Sequence, residues 1–213
     1  MTHTVNDQRL IFKNLWDNCL KVMVSYFPPN ERVPFYSYSS TALIFGLAYG
    51  LENACITNMG HFLRHIVGEE SKTDIPSDVS REMTHEPSGS LSVFHNHPNS
   101  TAPSCDDYKF FLTRMSVKNM AVCGHRGNLY FMQKGKLFYQ ETDEMIERIC
   151  VELCETLGMI ALRVFEFYGY TLDEMHTVDY RIKAVCFDSV MEVFFVYTCR
   201  ILKKYGFQSY RKG

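Results

Sequence analysis

The chain has 213 residues, 46% of them hydrophobic and 14% aromatic, with 22 Lys plus Arg against 24 Asp plus Glu. That content builds a real core, excludes global disorder, and suits one large domain or one domain with an extension. With a net charge of −2 and a pI of about 6.4, no overall field points to nucleic acid. No run reaches the ~18 apolar residues of a membrane span. The polar start MTHTVNDQRL lacks the apolar core of a signal peptide. Cys19, Cys55, Cys105, Cys123, Cys150, Cys154, Cys186 and Cys199 are scattered, with no CxxC pair. They read as reduced intracellular thiols, so the expected location is cytoplasmic.

In chain order, residues 6–27 carry apolar positions at helical spacing (Leu10, Ile11, Leu15, Leu20, Val22, Met23) and predict a helix. FPPNERVPF reads as a proline-marked connector. SSTALIFGLAYGLE predicts a buried helix capped by Ser39 or Ser40, with a strand over Leu43–Leu47 as the rival reading. NACITNMGHFLRHIVG predicts two short strands about a turn near Asn58–Gly60. The polar stretch 69–90 is a connector with one helical turn after Pro76. LSVFH is a compact strand, HPNSTAP a loop, and 104–116 a helix. NMAVCG, NLYFMQ and KLFYQ alternate as strands joined by tight turns. Beyond Thr142, residues 143–168 and about 172–205 predict two long helices. One would bury Ile146, Ile149, Leu153, Leu157 and Ile160, the other Phe194, Phe195, Tyr197, Ile201 and Leu202. The expected class is α/β (α+β): a mixed sheet flanked by helices, with an N-terminal helix and a C-terminal helical hairpin. The segments are 1–37 (helix and connector), 38–141 (core domain) and 142–213 (helical extension).

The chemistry concentrates in SVFHNHPNSTAPSCDD, residues 92–107. Residues two apart on a strand project to the same face, so His95 and His97 converge at a strand end, where one ion can take both imidazoles. Zinc favours histidine nitrogen and carboxylate oxygen, and a catalytic zinc keeps three protein ligands and one position for water. Asp107, on the first turn of the next helix, can be the third ligand. The same Ser104-x-x-Asp107 spacing is also a helix capping box with an acidic residue near the dipole, which explains both residues without a metal. His61 and His65 share a face but read as structural or solvent-facing; His85 and His125 fall in loops. Cys105 reads as a packing residue beside the site, and Cys150 and Cys154, one helical turn apart, as core or boundary cysteines.

His95, His97, Pro98, Ser104 and Asp107 resemble the HxHP…SxxD signature of JAMM (MPN-plus, JAB) metalloproteases, and HNHP resembles its RadC-like branch. The loop between His97 and Ser104 holds six residues where the common pattern holds seven. The likeness continues through DYKFFLTRMSVKNMAVCGHRGNLYFMQKG and covers roughly residues 38–140, which makes 38–141 a JAB/RadC-like domain of cytidine-deaminase-like architecture. It implies Zn2+ held by His95, His97 and Asp107, with Ser104 hydrogen-bonding the water or the developing oxyanion. It also implies an upstream glutamate as general base, at the start of a short apolar strand after the first helix. Glu52, 43 residues before His95, stands at such a junction. It can equally be a solvated helix-end glutamate, and if ALIFGLAYG were the strand the slot would fall near Thr41, which is no base.

The resemblance implies a zinc-dependent hydrolase of peptide or isopeptide bonds, acting on proteins or peptides that include ubiquitin-like conjugates. The alternatives are a JAB-fold binding or assembly module that pairs with itself or a partner protein through the C-terminal helices, and, more weakly, a RadC-like DNA-associated protein.

Overall fold

Gly50 turns the chain from helix to sheet: its φ of 69° lies in the left-handed region that favours glycine, and its N–H closes onto the Gly46 carbonyl. The helix it ends, α2 (Pro29–Tyr49), follows a single helical turn, α1 (Lys21–Val24). The structure is a computed structural model and describes residues 21–59, 61–70, 72–171 and 173–212. The helix expected over 6–27 therefore lies outside the described residues except at its end. The connector expected at FPPNERVPF is instead helical from Pro29 onward. Pro29 sits at the first helical position, where no donor is needed, and Pro34 forfeits only one internal hydrogen bond. The rival strand over Leu43–Leu47 is excluded by the same helix.

Six strands form one mixed sheet: β1 (Asn53–Asn58), β2 (His61–Val67), β3 (Leu91–His97), β4 (Val117–Gly124), β5 (Leu129–Gln133) and β6 (Gln208–Lys212), in the order β2-β1-β3-β4-β5-β6. Only β3 and β4 run parallel. Parallel neighbours need a long connection, and here it includes a helix, α4 (Cys105–Thr113). The polar connector holds a further helix, α3 (Ser77–His85), longer than the single turn expected. All seven residues of β3 are buried, so its two histidines are seated in the interior rather than on a rim.

The chain divides into two units. The first runs through Ser100 and adds Arg114–Lys134 and the stretch from Gln208. Its core joins Met23, Phe27, Phe35, Leu43 and Leu47 from the helical side to Cys55, Phe94, Ala121, Cys123 and Phe131 from the sheet. The Phe27 and Phe35 rings stack at 4.3 Å.

The second unit is Thr101–Thr113 with Gly135–Phe207. It contains α4, α5 (Asp143–Phe167) and α6 (Tyr180–Lys203). Thr142 caps α5 by accepting from the Met145 N–H, and Asp179 caps α6 by accepting from Arg181. Asp179 is also why α6 starts later than about 172. Ile146, Ile149, Leu153 and Ile160 are buried along α5, and Phe194, Phe195 and Leu202 along α6. Tyr197, expected on the buried face, is exposed. Tyr108 of α4 meets Phe194 edge to face at 5.3 Å. The strand expected at KLFYQ is a 3-10 helix, Lys136–Gln140, because only Phe138 of its apolar positions is buried. Among the described residues no helix is long and apolar enough to cross a membrane.

Candidate metal centre

The β1–β3 register builds the centre. Antiparallel pairing sets Ala54 opposite His95. Extending that register by one pleat brings Glu52 opposite His97, and residues directly opposite share a face. Glu52 thus follows α2 and directly precedes β1, and all three side chains are buried. It is not a solvated helix-end residue.

The two imidazoles meet through their Nε2 atoms at 3.0 Å, with ring centroids 4.9 Å apart and planes tilted by 54°. Two ligands with arms of about 2.05 Å at a tetrahedral angle are separated by about 3.3 Å, so this spacing suits a shared ion. Glu52 Oε1 lies 4.0 Å from His97 Nε2. That is long for two neighbours on one ion and suits a carboxylate set one step back. Among the described residues, Glu52, His95 and His97 form a buried group whose donor atoms all lie within 4.8 Å of one another and which can hold a metal ion.

Asn96, between the two histidines, points to the other face of β3 and fixes this geometry. Its Oδ1 accepts from the Asn53 N–H at 3.0 Å and its Nδ2 donates to the Leu51 carbonyl at 2.9 Å, so one amide grips the backbone on both sides of Glu52. Its Nδ2 also approaches His125 Nε2 at 2.7 Å. With that nitrogen as acceptor, the His125 proton sits on Nδ1. A Cβ at Gly46 would come within 2.4 Å of the Asn96 amide, so α2 can pass here only with glycine. Asn53 in turn places its Oδ1 at 3.1 Å from His65 Nε2, and burial lowers the His65 pKa.

The end of β3 is clamped as well. Ser100, in the left-handed region at φ 60°, donates its N–H to the His97 carbonyl. Its Oγ accepts from the Arg126 N–H and its carbonyl from Asn128 Nδ2. Gly124 leaves the room: a Cβ there would lie 2.7 Å from Ser100 Cα. Asn96 and Ser100 were not among the residues the sequence singled out, and His125 was read only as a loop residue, which its place in the turn after β4 bears out. An amide between two candidate ligands was the available signal, since it must face away from them and be satisfied there.

Ser104 and Asp107 lie in the second unit and bond to each other. Asp107 Oδ2 accepts from the Ser104 N–H at 2.6 Å and from Ser104 Oγ at 2.8 Å, while Ser104 Oγ accepts from the Asp107 N–H at 3.1 Å. This is the reciprocal capping box expected from the spacing. Beside it, the Cys105 thiol is pushed up to about 12, first by burial and then by its contact with Cys154. No protein-family model matches the chain, and neither curated proteins nor solved structures give a significant match.

Proposed function

We propose that the chain is a zinc-dependent hydrolase of amide bonds, peptide or isopeptide, on a JAB-like domain of the RadC-like kind, working in the cytoplasm on protein or peptide substrates such as ubiquitin-like conjugates. The observation that carries this reading is the convergence of Glu52 with both histidines. A carboxylate 43 residues upstream of His95 meets two imidazoles in a buried cluster. Imidazole nitrogens are donors that zinc favours, and Glu52, 4.0 Å from His97 Nε2, is the carboxylate beside them.

His95 and His97 would hold the ion, and the sequence resemblance assigns the third place to Asp107. When bound, zinc supplies Lewis acidity, polarising a carbonyl and lowering the pKa of water to about 7. Glu52 takes a proton from the attacking water at its carboxylate and passes it to the leaving amine. Burial keeps that carboxylate from bulk solvent, and Asn96 keeps it aimed. The resemblance assigns Ser104 a hydrogen bond to the growing negative charge, for which its one hydroxyl proton would turn from Asp107 Oδ2.

Two measurements test the reading together. Zinc analysis of the purified protein should find one equivalent, lost in His95→Ala and in Asp107→Ala. Cleavage of isopeptide-linked and linear peptide substrates should stop in Glu52→Gln while the zinc remains. A protein that binds no zinc on titration overturns it.

A second reading, a non-catalytic module for binding or assembly, is favoured by the α5–α6 hairpin, which leaves Phe167 84% and Met159 60% exposed. Full zinc occupancy without turnover of any such substrate selects it.

A further inference from the structure

The second unit holds a feature that the proposed hydrolase does not use. Cys105, the first residue of α4, and Cys154, in the middle of α5, bring their sulfurs to 2.8 Å, about 0.8 Å beyond a disulfide bond of about 2.05 Å. Both are free thiols. Cys154 is exposed and Cys105 half-buried, so the pair is open to small molecules, whereas Cys55, Cys123 and Cys186 are sealed in the core. The approach is built from two directions. Tyr108, one turn along α4 from Cys105, is wholly buried against Phe194, which seats that helix. Leu153, adjacent to Cys154, is buried in the same unit, which seats α5. Cys150, one turn before Cys154, lies near enough to act electrostatically on Cys105.

We propose that Cys105 and Cys154 form a redox-active dithiol, a modification site that closes to a disulfide by exchange with a small-molecule disulfide such as oxidised glutathione. The exchange balances. The Cys154 thiolate attacks one glutathione sulfur, the glutathione S–S bond breaks, and one glutathione leaves as a thiolate. Cys105 then attacks Cys154 Sγ, expels the second glutathione and completes the protein bond. The two cysteine protons end on the two glutathione thiols, and the protein loses two hydrogens. Because the sulfurs already touch, the second step needs little movement and outruns capture of the mixed disulfide. This goes beyond the proposed hydrolase and does not rest on it.

The test uses the full chain equilibrated with mixtures of reduced and oxidised glutathione, quenched with an alkylating agent and mapped by mass spectrometry. The expected product is an internal disulfide that is two hydrogens lighter, carries no glutathione and links Cys105 to the 149–163 peptide. Cys150→Ser should keep the link, and Cys154→Ser should abolish it and leave Cys105 alkylated. A product in which Cys154 retains glutathione while Cys105 stays free overturns the proposal, as does a link that survives in Cys154→Ser. Since Cys154 is exposed, its serine variant should fold, which a wild-type circular dichroism spectrum would check.

Discussion

The end of β3 and the start of α4 are close in sequence, yet they are held by opposite means. Around His95 and His97 the hydrogen bonds reach far along the chain: Asn96 binds Asn53, Leu51 and His125, across 43, 45 and 29 residues. Ser104 and Asp107 are joined to each other by three hydrogen bonds that span only three residues. The first arrangement is costly to assemble and is not required by local structure, since an apolar residue would suit a position in a fully buried strand. The second is what any well-capped helix does. Geometry that local structure does not require is the stronger pointer to chemistry, and here it points to Glu52, His95 and His97.

Four substitutions break or sharpen that contrast. His97→Ala removes one of the two imidazoles outright, and zinc binding should fall below detection in a competition titration with a chelating dye. Retained stoichiometric zinc would place the ion elsewhere. Glu52→Gln keeps the shape and removes the proton acceptor, so turnover of a cleavable isopeptide should fall by about a hundredfold or more with zinc content unchanged. Asn96→Leu leaves the buried Asn53 N–H without its partner and takes one of two donors from the Leu51 carbonyl, which keeps Asn53 Nδ2. It should lower unfolding free energy in urea by about 3 kcal/mol and weaken zinc binding as well. Ser104→Ala removes the cap and should cost about 1 kcal/mol by the same measurement, and under the proposed mechanism it should also lower turnover. If turnover falls no further than that stability loss explains, Ser104 is a cap alone. If Asn96→Leu costs no more than Ser104→Ala, the contrast between the two regions fails.

What the sequence made legible follows the range of the interaction. The projection of His95 and His97 to one face is a property of the strand alone, and the Ser104–Asp107 box a property of four residues. Glu52 lay one step further off. Its position beside a helix end was readable, but its meeting with His97 depends on the β1–β3 register, which no local pattern encodes. Asn96 was hidden for the same reason, as its partners are set by tertiary contact. Edge strand β6, Gln-Ser-Tyr-Arg-Lys, carries one aromatic among polar residues and shows no alternation, as suits an edge that must resist pairing with other chains. KLFYQ misled in the other direction: its alternation has no sheet face to serve, with Leu137 exposed and Phe138 buried.

The reach of the Asn96 amide also bears on how the first unit folds. Contacts between residues this far apart require loop closure before they return any stabilisation, so they form late. The helix end at Gly50, the β1–β3 register and the turn after β4 must all be in place before Asn96 can hold both flanks of Glu52 at once. A metal ion taken up there would meet a finished cradle. It would not nucleate the fold in the way a structural zinc organises a small finger; it would tighten a sheet already formed, slowing unfolding more than it hastened folding.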